Sequence, residues 1–130
     1  MKCDVFVVGA EPRTLEQLKS ACLPMPYNLR AISTLEGAKT AIEKDGKPTN
    51  AILVDFDGLQ VNNSLLRIFR RSLPDTYIIG ISTKHFHPEL AESLREYIYA
   101  CLPKPVDPDE LCFFLRSIFE DKDRGGDSPP

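Results

Sequence analysis

Apolar residues fall into short continuous runs that alternate with segments where they recur every three or four positions. Residues 3–9 (CDVFVVG) form a β-branched and aromatic run of the buried-strand kind. From Thr14, with Gln17 at capping-box spacing, Leu15, Leu18, Ala21 and Cys22 repeat at helical intervals. Leu23-Pro24-Met25-Pro26 ends that helix, because proline cannot continue it. Residues 28–32 (NLRAI) alternate as an edge or half-buried strand does, and Ser33 with Glu36 opens a second helix to about Lys44, closed by Asp45-Gly46-Lys47-Pro48. Residues 51–54 (AILV) carry the strongest strand signal. A helix over 64–72 follows, with Leu65, Leu66, Ile68 and Phe69 as its apolar face, broken by Pro74-Asp75. A strand over 77–82 (YIIGIS), a helix from Pro88 to about Tyr97 and a short strand Tyr99–Leu102 come next. Asp107-Pro108-Asp109-Glu110 starts the last helix: an Asp cap, proline in the first position, Glu in the third. Leu111, Phe113, Phe114 and Ile118 fit a buried stripe on it.

Strands separated by helices imply a parallel sheet covered on both faces, a doubly wound (βα)5 α/β sandwich of three layers. The pattern ends near residue 120, so residues 1–120 read as one domain and 121–130 (DKDRGGDSPP) as a linker or disordered tail. The length of 130 residues and the 42% apolar content suffice for a core without disulfide or metal staples. A net charge of −3 lacks the basic stripe of a nucleic-acid binder. No apolar run approaches the ~18–20 residues of a membrane span, and the N-terminus has no signal-peptide pattern, so a cytoplasmic location is expected. Cys3, Cys22, Cys101 and Cys112 lie apart in apolar surroundings and read as small reduced hydrophobes, without zinc-site spacing. His85 and His87 flank Phe86 in a polar stretch and read as loop or helix-start residues. Arg67, Arg70 and Arg71 read as a solvated basic face.

In open parallel sheets, ligand sites lie at the carboxyl ends of the strands. Those ends carry Gly9-Ala10-Glu11-Pro12, Asp55 with Asp57, Ser82-Thr83 and Lys104-Pro105. An aspartate there is a nucleophile toward phosphorus, and a hydroxyl with a lysine stabilises charge on transferred phosphoryl oxygens.

These residues, in this order, resemble the receiver domains of two-component response regulators over residues 3 to about 120. The resemblance implies a flavodoxin-like five-stranded parallel sheet and a non-enzymatic signalling module. It places Asp55 at the phospho-acceptor, Ser82 at the switch hydroxyl, Lys104 at the phosphoryl-holding lysine and the Lys104–Pro105 bond as a cis peptide. It implies Mg²⁺ held by an acidic pair, the acceptor aspartate and the backbone carbonyl at Asp57. The pair is absent: Gly9 and Ala10 occupy its positions, leaving Asp55, the Asp57 carbonyl and, by a local shift, the carboxylate of Glu11 or Asp57. The family's aromatic switch position is Cys101, with Tyr99 on the same strand face as a displaced candidate.

Two functional readings follow. In one, a partner histidine kinase phosphorylates Asp55, and the fourth helix, fifth strand and fifth helix relay the change to a partner or an output domain. In the other, the domain is a phosphorylation-independent interaction or dimerisation module using that same face, with Tyr97 or Tyr99 as exposed anchors and Asp55–Lys104 as a permanent ion pair. Direct nucleic-acid or membrane binding is expected in neither. A flavin-binding enzyme lacks the glycine-rich loop such a site needs, since Gly9 stands alone.

Overall fold

The structure, a computed structural model, describes residues 3–46, 50–84 and 87–123, with side chains for 4–46, 50–84 and 87–120. Five strands, β1 (Cys3–Val8), β2 (Tyr27–Ile32), β3 (Asn50–Asp55), β4 (Thr76–Ser82) and β5 (Ile98–Pro103), alternate with helices α1 (Pro12–Cys22), α2 (Leu35–Asp45), α3 (Asn63–Ser72), α4 (Ala91–Glu96) and α5 (Pro108–Asp123). All pairings are parallel, in the order β2-β1-β3-β4-β5. The doubly wound (βα)5 expectation therefore holds. The chain steps from β1 outward to β2, then back across to β3, so the topological switch point lies between β1 and β3.

The sheet divides the core in two. Val5, Val7, Leu53, Ile79, Ile81 and Leu102 pack under α1 and α5 with Leu18, Leu111, Leu115 and Ile118. Phe6, Val8, Ile52, Val54 and Ile78 pack on the other face with Ala38, Ile42, Leu66, Phe69 and Leu90. Central β3 is buried at every position, which explains why AILV reads as a continuous apolar run without alternation.

Helix boundaries depart from the sequence reading at their caps. α1 starts at Pro12, with Glu11 in the N-cap position and Thr14 buried inside the first turn, so Thr14 and Gln17 form no capping box. Proline's fixed φ suits the first helical position and sets the start two residues early. In α2 the cap is Thr34, whose Oγ1 accepts the Gly37 N–H at 3.0 Å, not Ser33. Gly46 closes that helix at φ 64°, in the left-handed region. The fourth helical segment begins with a 3-10 turn at Pro88–Leu90. α5 continues to Asp123, three residues into the expected tail; residues 124–130 lie outside the described residues, as do Lys47-Pro48, His85 and the Cys3 side chain.

Three burial expectations fail. In α3 only Leu66 and Phe69 are buried, while Leu65 and Ile68 are 46% and 61% exposed. Leu66 and Phe69 share one stripe, and the helix lies on the sheet along that stripe alone. Phe113 is 64% exposed, because Leu111, Leu115 and Ile118 already fill the inward face of α5. Cys101 is exposed on edge strand β5, whereas Cys22 is buried and its thiol is pushed up to about 11 by desolvation and then by Cys112. The basic face is only partly solvated: Arg67 bonds Glu92 at 2.6 Å and Tyr97 at 3.2 Å, joining α3 to α4. No helix among the described residues is long and apolar enough to cross a membrane.

Candidate functional site

Asp55 is the last residue of β3, paired in register with Ile81 of β4. Its side chain is fully buried at the carboxyl end of the sheet. A buried carboxylate needs compensation, and every bond it makes supplies some. Oδ1 accepts the N–H groups of Asp57 at 2.9 Å and Gly58 at 3.3 Å, in the turn that follows the strand. Lys104 Nζ donates to Oδ1 and Oδ2, both at 2.9 Å. Lys104 follows β5, the Lys104–Pro105 bond is cis, and the Lys104 N–H donates to the Ser82 carbonyl at 3.1 Å. That backbone bond holds the lysine beside the end of β4.

Asp57 contributes its side chain. Its Oδ2 accepts the Thr83 N–H at 2.9 Å and lies 3.1 Å from Lys104 Nζ. Its Oδ1 accepts from the Thr83 hydroxyl at 3.2 Å and the Ser82 hydroxyl at 3.3 Å. Desolvation acts to raise the Asp57 carboxyl, but the Thr83 N–H and the Lys104 ammonium together hold it below its ordinary value. Desolvation acts to lower Lys104, and the hydrogen bonds it donates to Asp55 and Asp57 outweigh that and hold the ammonium above its ordinary value.

Ser82 is buried and sits at a junction. Its Oγ accepts the Lys84 N–H at 2.9 Å and lies 3.0 Å from His87 Nε2. Because the Ser82 hydroxyl donates to Asp57, its oxygen is left to accept, from the Lys84 N–H and from His87 Nε2. His87 is itself buried, stacks edge-on against Phe56 at 5.5 Å and lies 3.5 Å from Glu89. Phe56 fills the space beside Gly80, where any Cβ would run into its ring.

The end of β1 is built differently. Gly9 adopts φ 72° and donates its N–H to Ile32 at 2.9 Å. A Cβ there would meet the Leu59 Cβ at 2.6 Å, and a Cβ on Gly58 would strike the Gly9 carbonyl. The two loops therefore touch through glycine backbones, and positive φ compounds the steric bar at residue 9. Ala10 packs on the edge of the core, and Glu11 is exposed at the rim of an open groove of about 590 Å³ that also borders Gln17, Asp57, Thr83, Lys84 and Lys104.

The structure thus brings Asp55, Ser82 and Lys104 together, as strand-end reasoning anticipates, and adds Thr83, His87 and the Asp57 carboxylate. Tyr99 and Cys101 lie elsewhere on β5. Tyr99 is 43% exposed and packs edge-on against Tyr77 and Phe114 at centroid distances of 5.3 and 6.0 Å.

The magnesium ion that the resemblance implies asks for several free hard oxygens in near-octahedral array. Both Asp55 oxygens face an ammonium, both Asp57 oxygens are engaged, and residues 9 and 10 bring no carboxylate. Among the described residues no three acidic, His or Cys side chains cluster as a metal site. The residues as arranged do not fit Mg²⁺.

No protein-family model and no curated protein matches the chain. Solved structures do. The signal receiver domain of an HD-domain-containing protein from Pseudomonas fluorescens Pf-5 superposes with a TM-score of 0.76 at 21% identity, covering 95% of this chain and 99% of that one. A CheY-like response regulator receiver domain protein from Methanospirillum hungatei JF-1 gives 0.75 at 17% identity, over 96% and 99%. A response regulator from Thermotoga maritima gives 0.73 at 21%, over 92% and 99%. With these superpositions covering 92–96% of the chain, it has the fold of a response-regulator receiver domain.

Proposed function

We propose that this domain is a signalling module that works without phosphorylation, using a receiver fold to present a fixed surface to a partner protein, a second copy or an output domain. The observation that carries the reading is the pair of hydrogen bonds that Lys104 donates to the two oxygens of a fully buried Asp55. Both Asp55 oxygens accept from the Lys104 ammonium, and Oδ1 also from two backbone N–H groups, which draws charge from the carboxylate and weakens it as a nucleophile toward phosphorus. Among the described residues no three acidic, His or Cys side chains cluster to hold the metal that would screen the approach of two anions. The bland strand-end pair Asp55–Lys104 thus becomes the central strut of three loops.

The surface on offer is aromatic. Tyr77, Tyr99, Phe114 and Phe113 form a chain of edge-on contacts across β4, β5 and α5, with Tyr99 and Phe113 exposed. Exposed aromatics are the residue types that anchor interfaces. This supports the α4–β5–α5 face as the one used, for a homodimer or for another signalling protein.

A second reading keeps phosphoryl transfer from a histidine kinase to Asp55, relayed through the same face. The convergence of Asp55, Ser82 and Lys104 favours it. The test is incubation with acetyl phosphate and Mg²⁺, followed by intact-protein mass spectrometry. The expected result is no phosphoryl adduct. A near-stoichiometric adduct on the wild type, absent from Asp55→Asn, would establish the second reading instead.

A further inference from the structure

Ser82, Thr83 and Lys104 present a set of donors with one shape. The Thr83 N–H, the Thr83 and Ser82 hydroxyls and the Lys104 ammonium converge from β4 and β5 on a single point. Donors so arranged at strand ends suit an oxyanion: one charge-assisted contact, one backbone N–H and two hydroxyls spread over separate oxygens. Here the point is taken by a carboxylate from the same chain. Asp57 accepts from all four donors with its two oxygens and lines the open groove. It is a planar anion in a place that three or four tetrahedral oxygens would also satisfy.

We propose that these donors form an oxyanion seat that the chain fills with its own Asp57 carboxylate, so that the seat takes phosphate only when Asp57 is removed. This rests on the phosphorylation-independent reading of the site and supplies its mechanism. Ser82, Thr83 and Lys104 are held permanently as an incoming anion would hold them. The loops after β4 and β5 then have one arrangement rather than two, because the ligand that would select between them is covalently part of the protein. The local concentration of a tethered carboxylate far exceeds that of a free anion, so free phosphate competes poorly with it.

Inorganic phosphate is the probe, because it occupies an oxyanion seat yet transfers no phosphoryl group. Amide NMR spectra of the whole chain are recorded during phosphate titration of wild type, Asp57→Ala and the Asp57→Ala/Lys104→Met double variant. The expected result is a saturable shift of the Thr83 and Lys84 amides in Asp57→Ala, with phosphate bound about tenfold or more tightly than by the wild type. The double variant loses that response. If Asp57→Ala does not give a dispersed spectrum, Asp57→Asn, which keeps the shape but not the charge, is titrated in its place and shows a smaller gain of the same kind. A folded variant lacking Asp57 whose Thr83 amide ignores phosphate, or a wild type that binds phosphate equally well, overturns the seat. A phosphoryl adduct on wild-type Asp55 from acetyl phosphate overturns the phosphorylation-independent reading, a separate result read by mass.

Discussion

Lys104 carries three roles at once. It neutralises the buried Asp55, reaches Asp57, and places the chain after β5 beside β4. Removing one partner of a buried ion pair leaves the other charged and unsolvated, at a cost of about 3–5 kcal/mol, whereas removing both is far milder. Lys104→Met should therefore destabilise the domain by roughly that amount, and Asp55→Asn added to it should restore part of the loss. Urea unfolding of the two single variants and the double checks this; an additive double variant would mean the pair is not coupled. The pH dependence has a sign at each end. Asp57 is held below its ordinary value, so its contribution is full above about pH 4 and fades as pH falls through the lowered folded value. Lys104 is raised, so its contribution is full below about pH 10 and fades as pH rises through the raised folded value. The stability gap between wild type and Asp57→Asn should be constant through neutral pH, narrow in acid as Asp57 takes up its proton, and narrow again in strong base as Lys104 loses its own. Of these residues, Asp55, Ser82 and Lys104 were legible in the sequence, since strand ends fix where their Cα atoms stand. The Asp57 carboxylate was legible only as a candidate metal ligand, and its contacts with Ser82, Thr83 and Lys104 were not: it sits on the turn after β3, where the chain's path decides the direction of a side chain and spacing does not. The one signal was an acidic residue two positions after Asp55 together with neutral residues at 9 and 10.

At the scale of elements, the β1–α1 loop explains why the acidic pair cannot simply be put back. Gly9 takes a positive φ against Leu59, and Gly58 packs on its carbonyl. Gly9→Asp adds a Cβ in the left-handed region and forces Leu59 aside, an overpacking expected to cost about 1–3 kcal/mol. Thermal unfolding should show that loss even with Mg²⁺ present, whereas a Gly9→Asp/Ala10→Asp variant stabilised by Mg²⁺ would mean the loop can be remade into a metal site. Strand order and strand cores were legible because burial on both faces writes continuous apolar runs, as in β3. Helix faces were less so. Four apolar residues of α3 fit one helical face by spacing, yet only Leu66 and Phe69 meet the sheet. Which stripe turns inward depends on how the helix lies across the twisted sheet, and that is a tertiary choice. Cap positions slipped for a related reason: Pro12 and Thr34 outcompeted nearby candidates whose side chains also suit a cap.

On the proposed reading, the whole molecule is a receiver fold locked from within. The sheet is ordinary for its architecture, with two packed cores and the site at its carboxyl edge. The unusual part is confined to the loops after β1, β3, β4 and β5, where two carboxylates and one ammonium complete one another. On the proposed reading the docking surface is the aromatic face, where the Tyr99 and Phe113 side chains are exposed. The most direct test of that locked site is an amide NMR titration of the wild-type chain with Mg²⁺ and then beryllofluoride, a phosphoryl mimic that needs a free acceptor aspartate and a metal. The account predicts a folded protein whose Asp55, Ser82, Thr83 and Lys104 amides stay where they are through the titration. Saturable, Mg²⁺-dependent shifts at those residues, spreading to Tyr99 and Cys101 and lost in Asp55→Asn, would contradict it.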